Sequence, residues 1–193
     1  YNTGRIMATG TPVGGLMGYA NQATITNAYS TGDVTTEKTL MGGLIGVMEK
    51  SSLTNAYVSG KVTTAVASGA IGAAVGSADQ VSNVYYLGSA SAIGDENATA
   101  KTAEELKALA PTLGSSFKEN TGCGGYPLLA WQEARAHQYE DGVCTVCGAK
   151  DPAAPYLLDG VTDAAAEVQT GKSYQLDDLM DGCLLYTSPS PRD

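Results

Sequence analysis

Residues 26–62 read TNAYSTGDVTTEKTLMGGLIGVMEKSSLTNAYVSGKV, and the pattern inside this stretch decides the fold. The phrase TNAYSTGDV at 26–34 returns as TNAYVSGKV at 54–62, a shift of 28 residues. Between the two copies lies MGGLIG (41–46), which repeats VGGLMG (13–18) and, more loosely, IGAAVG (71–76). Tyr1, Tyr29, Tyr57 and Tyr85 keep the 28-residue spacing without slippage, and Asn27, Asn55 and Asn83 share one phase. An internal period of this length is the signature of a repeat architecture.

Each 28-residue unit holds three short β-type stretches separated by Gly, Asn or Ser punctuation. None carries an apolar pattern of helical period. At about 3.3 Å per residue, such a unit closes into one lap of short strands and turns, and laps stack at about 4.8 Å. The expectation is therefore a mainly β protein built around a parallel β-solenoid. Stacking in phase places Leu16 over Leu44, Ile25 over Leu53 and Val81, Ala28 over Ala56 and Val84, and Val34 over Val62, as interior columns. The three asparagines are expected to form a hydrogen-bonded ladder at a corner and the tyrosines a stacked strip. Paired glycines mark corners where a Cβ would clash. A propeller or sandwich is the alternative, needing longer strands and, for a propeller, a period nearer 40 residues.

Composition supports this and removes several functions. The chain has 193 residues, 24 of them Gly, with 20 acidic against 11 basic side chains, hence a net charge of −9. Clustered cations that replace phosphate counterions are missing, which argues against nucleic acid as a partner. No apolar run reaches the roughly 18 residues of a membrane span; the nearest is 65–76. Residues 1–88 balance Arg5, Lys38, Lys50 and Lys61 against Asp33, Glu37, Glu49 and Asp79, so the net charge lies wholly after Gly88. With Tyr1 first and no signal peptide, the chain reads as an internal piece of a longer protein.

GGLMG and GGLIG followed by TNAYSTGDV and TNAYVSGKV resemble GLUG motifs, repeats of large bacterial surface proteins, adhesins and the stalks of immunoglobulin A proteases. The resemblance covers about residues 1–88. It implies an extracellular solenoid at the bacterial cell surface, with a structural and adhesive rather than chemical role. Its partner would be a protein or glycan of the host or cell envelope. The third copy departs from the pattern, with Ala70 and Ile71 taken to stand where earlier copies have Gly42 and Gly43, as suits a terminal lap. Residues 89–133 resemble the closing element that follows such repeats. Thr102 with Glu105 forms a capping box. A helix over 103–110 buries Leu106 and Leu109 until Pro111 stops it. Tyr126, Leu128, Leu129 and Trp131 give a final apolar strand that covers the open edge.

Chemistry concentrates at 134–150. Cys144 and Cys147 form a Cys-x-x-Cys, His137 precedes them by seven residues, and Gly148 permits a tight turn. The segment resembles zinc-ribbon-like linkers of surface proteins. Three ligands are visible, so a structural zinc would need Cys123, an acid such as Asp141, or water as the fourth. A disulfide and an empty knuckle are the competing readings. No nucleophile–base constellation or His-Glu-x-x-His accompanies these residues, so no enzyme activity is expected. Gly-rich 10–18 lacks the Lys-Ser/Thr of a phosphate loop. Asp177, Asp178 and Asp181 lack calcium-loop spacing, and Asn97-Ala-Thr is a formal glycosylation triplet only. Residues 151–182 read as a linker and the start of an Ig-like or cadherin-like module, with Tyr174, Leu176 and Leu179 on one strand. The tail 183–193 resembles translated sequencing-adapter read-through, which would leave Cys183 without meaning. A non-catalytic stalk of a secreted protease or glycan-degrading enzyme is the second functional reading, and a metal-sensing module is the third.

Overall fold

In the computed structural model, which describes residues 1–66, 69–91, 93–140, 142–152, 156–157 and 167–168, the chain divides into two units, Tyr1–Arg135 and Ala136–Asp193. The first unit winds through three laps. The first lap contains β1 (Ile6–Ala8), β2 (Val13–Gly14), β3 (Met17–Asn21) and β4 (Thr24–Ser30). The second contains β5 (Val34–Thr36), β6 (Met41–Gly42), β7 (Ile45–Glu49) and β8 (Ser52–Val58), and the third β9 (Val62–Thr64), β10 (Ile71–Gly72), β11 (Val75–Ser77) and β12 (Gln80–Leu87). Each lap thus has four strands rather than three, because the glycine-rich bend separates β2 from β3 and its counterparts likewise. All pairings between laps are parallel, in the sheets β1-β5-β9, β2-β6-β10, β3-β7-β11 and β4-β8-β12. The fold is a parallel β-solenoid.

Register follows the 28-residue period along β4, β8 and β12: Ile25 pairs with Leu53 and Leu53 with Val81, and Tyr29 pairs with Tyr57. Leu44, Leu53 and Ala56 are wholly buried, and Ala28 and Val84 close the same interior, with Leu16, Ile25 and Val81 half-buried against it. Val34 and Val62 belong to a second buried cluster with Val13 and Met41. The third lap differs between β9 and β12. There Ile71 pairs with Met41, Gly72 with Gly42 and Val75 with Ile45, an offset of 30, before Gln80 returns to Ser52 at 28. Gly72 and Ala73, not Ala70 and Ile71, therefore stand over Gly42 and Gly43. The longer turn after Val62 adds two residues that the shorter one before Gln80 removes.

The asparagine ladder exists, with Asn55 Nδ2 donating to Asn27 Oδ1 (3.3 Å) and Asn83 Nδ2 to Asn55 Oδ1 (2.6 Å). It lies inside the long strands, not at a turn between strands. Asn27, Asn55 and Asn83 have φ of 56°, 55° and 55°, a left-handed conformation that Asn tolerates better than most residues. One such residue resets the pleat. Ile25 and Ala28, three apart, both face the interior, where strict alternation would turn one of them out. Beyond it Tyr29 and Tyr57 point the other way, their rings stacked at 5.2 Å and 6°, and Tyr1 stacks on Tyr29 at 5.2 Å.

That outer tyrosine face is where the closing element packs. β13 (Thr99–Lys101) pairs parallel to β12. Then α1 (Ala103–Lys107), α2 (Ala110–Leu113) and the antiparallel pair β14 (Phe117–Lys118) and β15 (Leu128–Leu129) follow. The Thr102–Glu105 capping box is present. Pro111 does not end a helix over 103–110: α1 ends at Lys107, and Pro111 sits in the first turn of α2, where its missing N–H costs nothing. Leu106, Leu109, Leu113, Phe117 and Leu129 bury Tyr29 and Tyr57. Tyr57 donates to the carbonyl of Pro127, and Tyr29 to Gln132 Oε1 at 2.9 Å. Burial pushes the Tyr57 phenol far above its ordinary pKa, with Tyr29 and Tyr126 adding to it. Trp131 is 72% exposed and lies outside β15, so the final apolar strand is shorter than its sequence suggests.

The end of the stack is closed by β13 and by a side chain. The carbonyl of Leu44 accepts from the N–H groups of Leu16 and Met17, and that of Ala74 from Leu44 and Ile45. In the same column Asp95 Oδ2 accepts from Ala74 (2.8 Å) and Val75 (2.7 Å). One carboxylate oxygen thus takes the place of the next lap's carbonyl. Replacing Asp95 by Ala leaves the N–H groups of two buried residues, Ala74 and Val75, without this acceptor and should lower stability by about 2 kcal/mol. Asp95→Asn, which keeps a neutral acceptor, should cost less. Urea midpoints of the two variants check the order.

In the second unit β16 (Tyr139–Glu140) and β17 (Val143–Cys144) form an antiparallel pair, as do β18 (Tyr156–Leu157) and β19 (Glu167–Val168). The module strand expected through Tyr174, Leu176 and Leu179, the acidic Asp177, Asp178 and Asp181, and the tail 183–193 lie outside the described residues.

Candidate metal centre

The hairpin of β16 and β17 shapes the Cys-x-x-Cys through its backbone. Cys144 N–H donates to Ala149 O (2.7 Å), Thr145 N–H to Gln138 O (2.9 Å), Gly148 N–H to Cys144 O (2.9 Å) and Asp151 N–H to Gly142 O (2.9 Å). Gly148 has φ of 72°, with open space around its missing Cβ, so it is needed for conformation and not for room. This tight loop turns Cys147 back toward the start of the unit. Its Sγ lies 3.4 Å from His137 Nδ1, and the His137 ring stacks on Tyr139 at 5.4 Å.

His137, Cys144 and Cys147 each offer one donor atom, and these atoms lie within 4.8 Å of one another. A tetrahedron with bonds of about 2.3 Å to sulfur and 2.0–2.1 Å to nitrogen has S···N edges near 3.5 Å. The His137–Cys147 separation matches that edge. Electrostatics favour a thiolate at Cys144. Cys144 is 2% exposed. Burial opposes its thiolate, but backbone amides of Val146, Cys147 and Gln138 together with the His137 ring outweigh this and bring its pKa down to about 5. The Cys144 sulfur in turn holds the imidazole above its ordinary value, against the pull of burial and with help from Cys147.

The three residues singled out by sequence are thus brought together. Asp141 lies outside the described residues. Cys123 belongs to the first unit, in a turn where its N–H donates to Arg135 O (2.7 Å) and its carbonyl accepts from Asn120 (3.3 Å). Two contributors escaped sequence reasoning: Gln138, whose carbonyl fixes Thr145, and Tyr139, which stacks on the ligand ring. Only a hairpin register, absent from residue spacing, would have placed either of them. The set holds two soft thiolates and an imidazole, the donors that suit Zn²⁺ rather than Ca²⁺ or Mg²⁺.

Among the described residues no helix is long and apolar enough to cross a membrane. No curated protein and no solved structure matches the chain. Residues 9–35, one lap from the turn after β1 through the Val13–Gly14 bend to the middle of β5, match the GLUG motif.

Proposed function

We propose that this chain is a non-catalytic structural and adhesive segment of a bacterial protein displayed at the cell surface or secreted. The GLUG motif, one of repeat regions in secreted and surface proteins, supports that setting. The observation that carries the reading is the in-register stack itself. The outward residues of β4, β8 and β12 repeat as columns, Thr24 over Ser52 and Gln80, Thr26 over Thr54 and Ser82. Thr54 and Ser82 join hydroxyl to hydroxyl at 3.1 Å. A surface that repeats one polar row favours a ligand that also repeats, a glycan or an extended protein of the host or envelope, bound by many weak contacts.

The immobilised full chain is expected to retain mucin or purified envelope glycan. A Thr24→Lys, Thr26→Lys double variant should lower that retention about tenfold while its stability changes by no more than exposed substitutions cause, about 0.5 kcal/mol each. Unchanged retention in the variant, or absence of retention in the parent, would remove the adhesive assignment.

The knuckle is read as a structural zinc site. His137, Cys144 and Cys147 supply three donors. A structural zinc takes four, so one further side chain or a water has to complete the set.

A further inference from the structure

The second unit poses a physical difficulty that the metal resolves. Among its described residues from 136 to 152, Cys144 alone is buried. The apolar side chains that a small domain would use as a core face water: Tyr139 is 38% exposed, Val143 43% and Val146 50%. What orders the segment is a hairpin with two paired residues per strand and a few turn hydrogen bonds. An isolated two-stranded hairpin is marginal in water, and a segment this short buries too little to offset chain entropy. The group it does bury is a metal donor. By contrast, the laps of the first unit bury Leu44, Ile45, Leu53 and Val58 and depend on no such donor.

Resting on the reading of the knuckle as a zinc site, we propose that zinc binding is itself the folding step of residues 136–152. The metal-free segment is an open tether after an intact solenoid, and one Zn²⁺ per chain converts it into an ordered knuckle. Zinc displaces the thiol protons of Cys144 and Cys147, and its bonds to them and to His137 supply what an apolar core supplies elsewhere. Zinc availability then decides whether residues 136–152 are slack or set, without touching the laps.

The full chain, stripped of metal by a chelator under reducing conditions and then titrated with Zn²⁺ alone, tests this by calorimetry and by hydrogen exchange read by mass spectrometry. One zinc per chain is expected to bind tighter than micromolar. Amides of Cys144, Thr145, Gly148 and Asp151 should gain about tenfold protection or more, while those of β8 stay unchanged. Cys147→Ser should lose both responses and keep the parent's solenoid melt. Stoichiometric binding with unchanged protection at 142–151 would show a preformed site, overturning the coupling while leaving the zinc reading intact. Protection that rises equally in β8 would overturn the claim that the step is local. Failure to bind one zinc under these reducing conditions would overturn both.

Discussion

Leu44→Asp is expected to unfold the laps. Leu44 is wholly buried at the centre of the largest apolar cluster, between Leu16 of the first lap and Ala74 of the third. Its own backbone is engaged on both sides, its N–H on Ala74 and its carbonyl with Leu16 and Met17. A carboxylate placed there has no cation to pair with among these neighbours and no water to solvate it. The cost of an unpaired buried charge is several kcal/mol, comparable with the whole stability of a domain of this size. The far-UV circular dichroism band of the β-structure should collapse and the urea transition disappear. Leu44→Ala, which leaves a cavity and no charge, should cost about 2–5 kcal/mol and keep the fold. Leu16→Asp is the informative companion. Leu16 is only half-buried, so water reaches the carboxylate and the penalty should be clearly smaller. A Leu44→Asp protein with the parent's spectrum and midpoint would mean that the interior has been assigned to the wrong face of the lap.

Gly42→Ala should be nearly as damaging, though it adds a single methyl group. A Cβ at this position would lie 2.2 Å from Ile45 O, 2.7 Å from Ala74 O and 2.8 Å from Gly76 N. All three are backbone atoms, two of them in the adjacent lap, so no side chain can swing aside. The same collision recurs at Gly14, 2.2 Å from Met17 O and 2.6 Å from Leu44 O, and at Gly72, 2.0 Å from Val75 O. The column therefore exists because the bend folds back on its own carbonyl three residues later while the next lap presses from outside. Overpacking of a core costs typically 1–3 kcal/mol. With only backbone to move, the expected loss is about 3 kcal/mol, read as a lower urea midpoint. Gly10→Ala, where nothing lies within 4 Å of the added carbon, should be neutral within about 0.5 kcal/mol. Equal effects at the two sites would show that conformational freedom rather than contact selects glycine in the bend.

What sequence reveals here is whatever repeats. Tyr29 and Tyr57, Leu53 and Val81, Asn55 and Asn83 are written in phase and meet in phase, because in a stack each residue's neighbour is its own counterpart one lap away. Features that occur once are hidden. The two-residue slip around Gly72 is the exception, because IGAAVG at 71–76 stands 30 residues after MGGLIG at 41–46 and backbone pairing keeps that offset. Asp95 stands beside Glu96 in a loop, and nothing near it in sequence announces that Ala74 and Val75, about twenty residues earlier, lack this acceptor without it. The break between α1 and α2 sits in a run of good helix formers. It falls at Lys107, the residue four before Pro111 whose carbonyl the proline can neither bond nor approach, so the proline acts a full turn ahead of its own position. At the knuckle the donor spacing was visible, since Cys-x-x-Cys is local. The role of Tyr139 and Gln138 was not, since it needs the hairpin.

Asp95 also bears on how such a protein changes length over generations. Because its carboxylate addresses the final lap alone, an in-frame duplication of an interior 28-residue lap would leave the terminator chemistry untouched. Each copied segment would bring its own glycine bend, asparagine ladder rung and tyrosine, and would lengthen the stack by about 4.8 Å. Reach can then be tuned by unequal recombination in discrete increments, while the stop signal, invented once, is inherited unchanged.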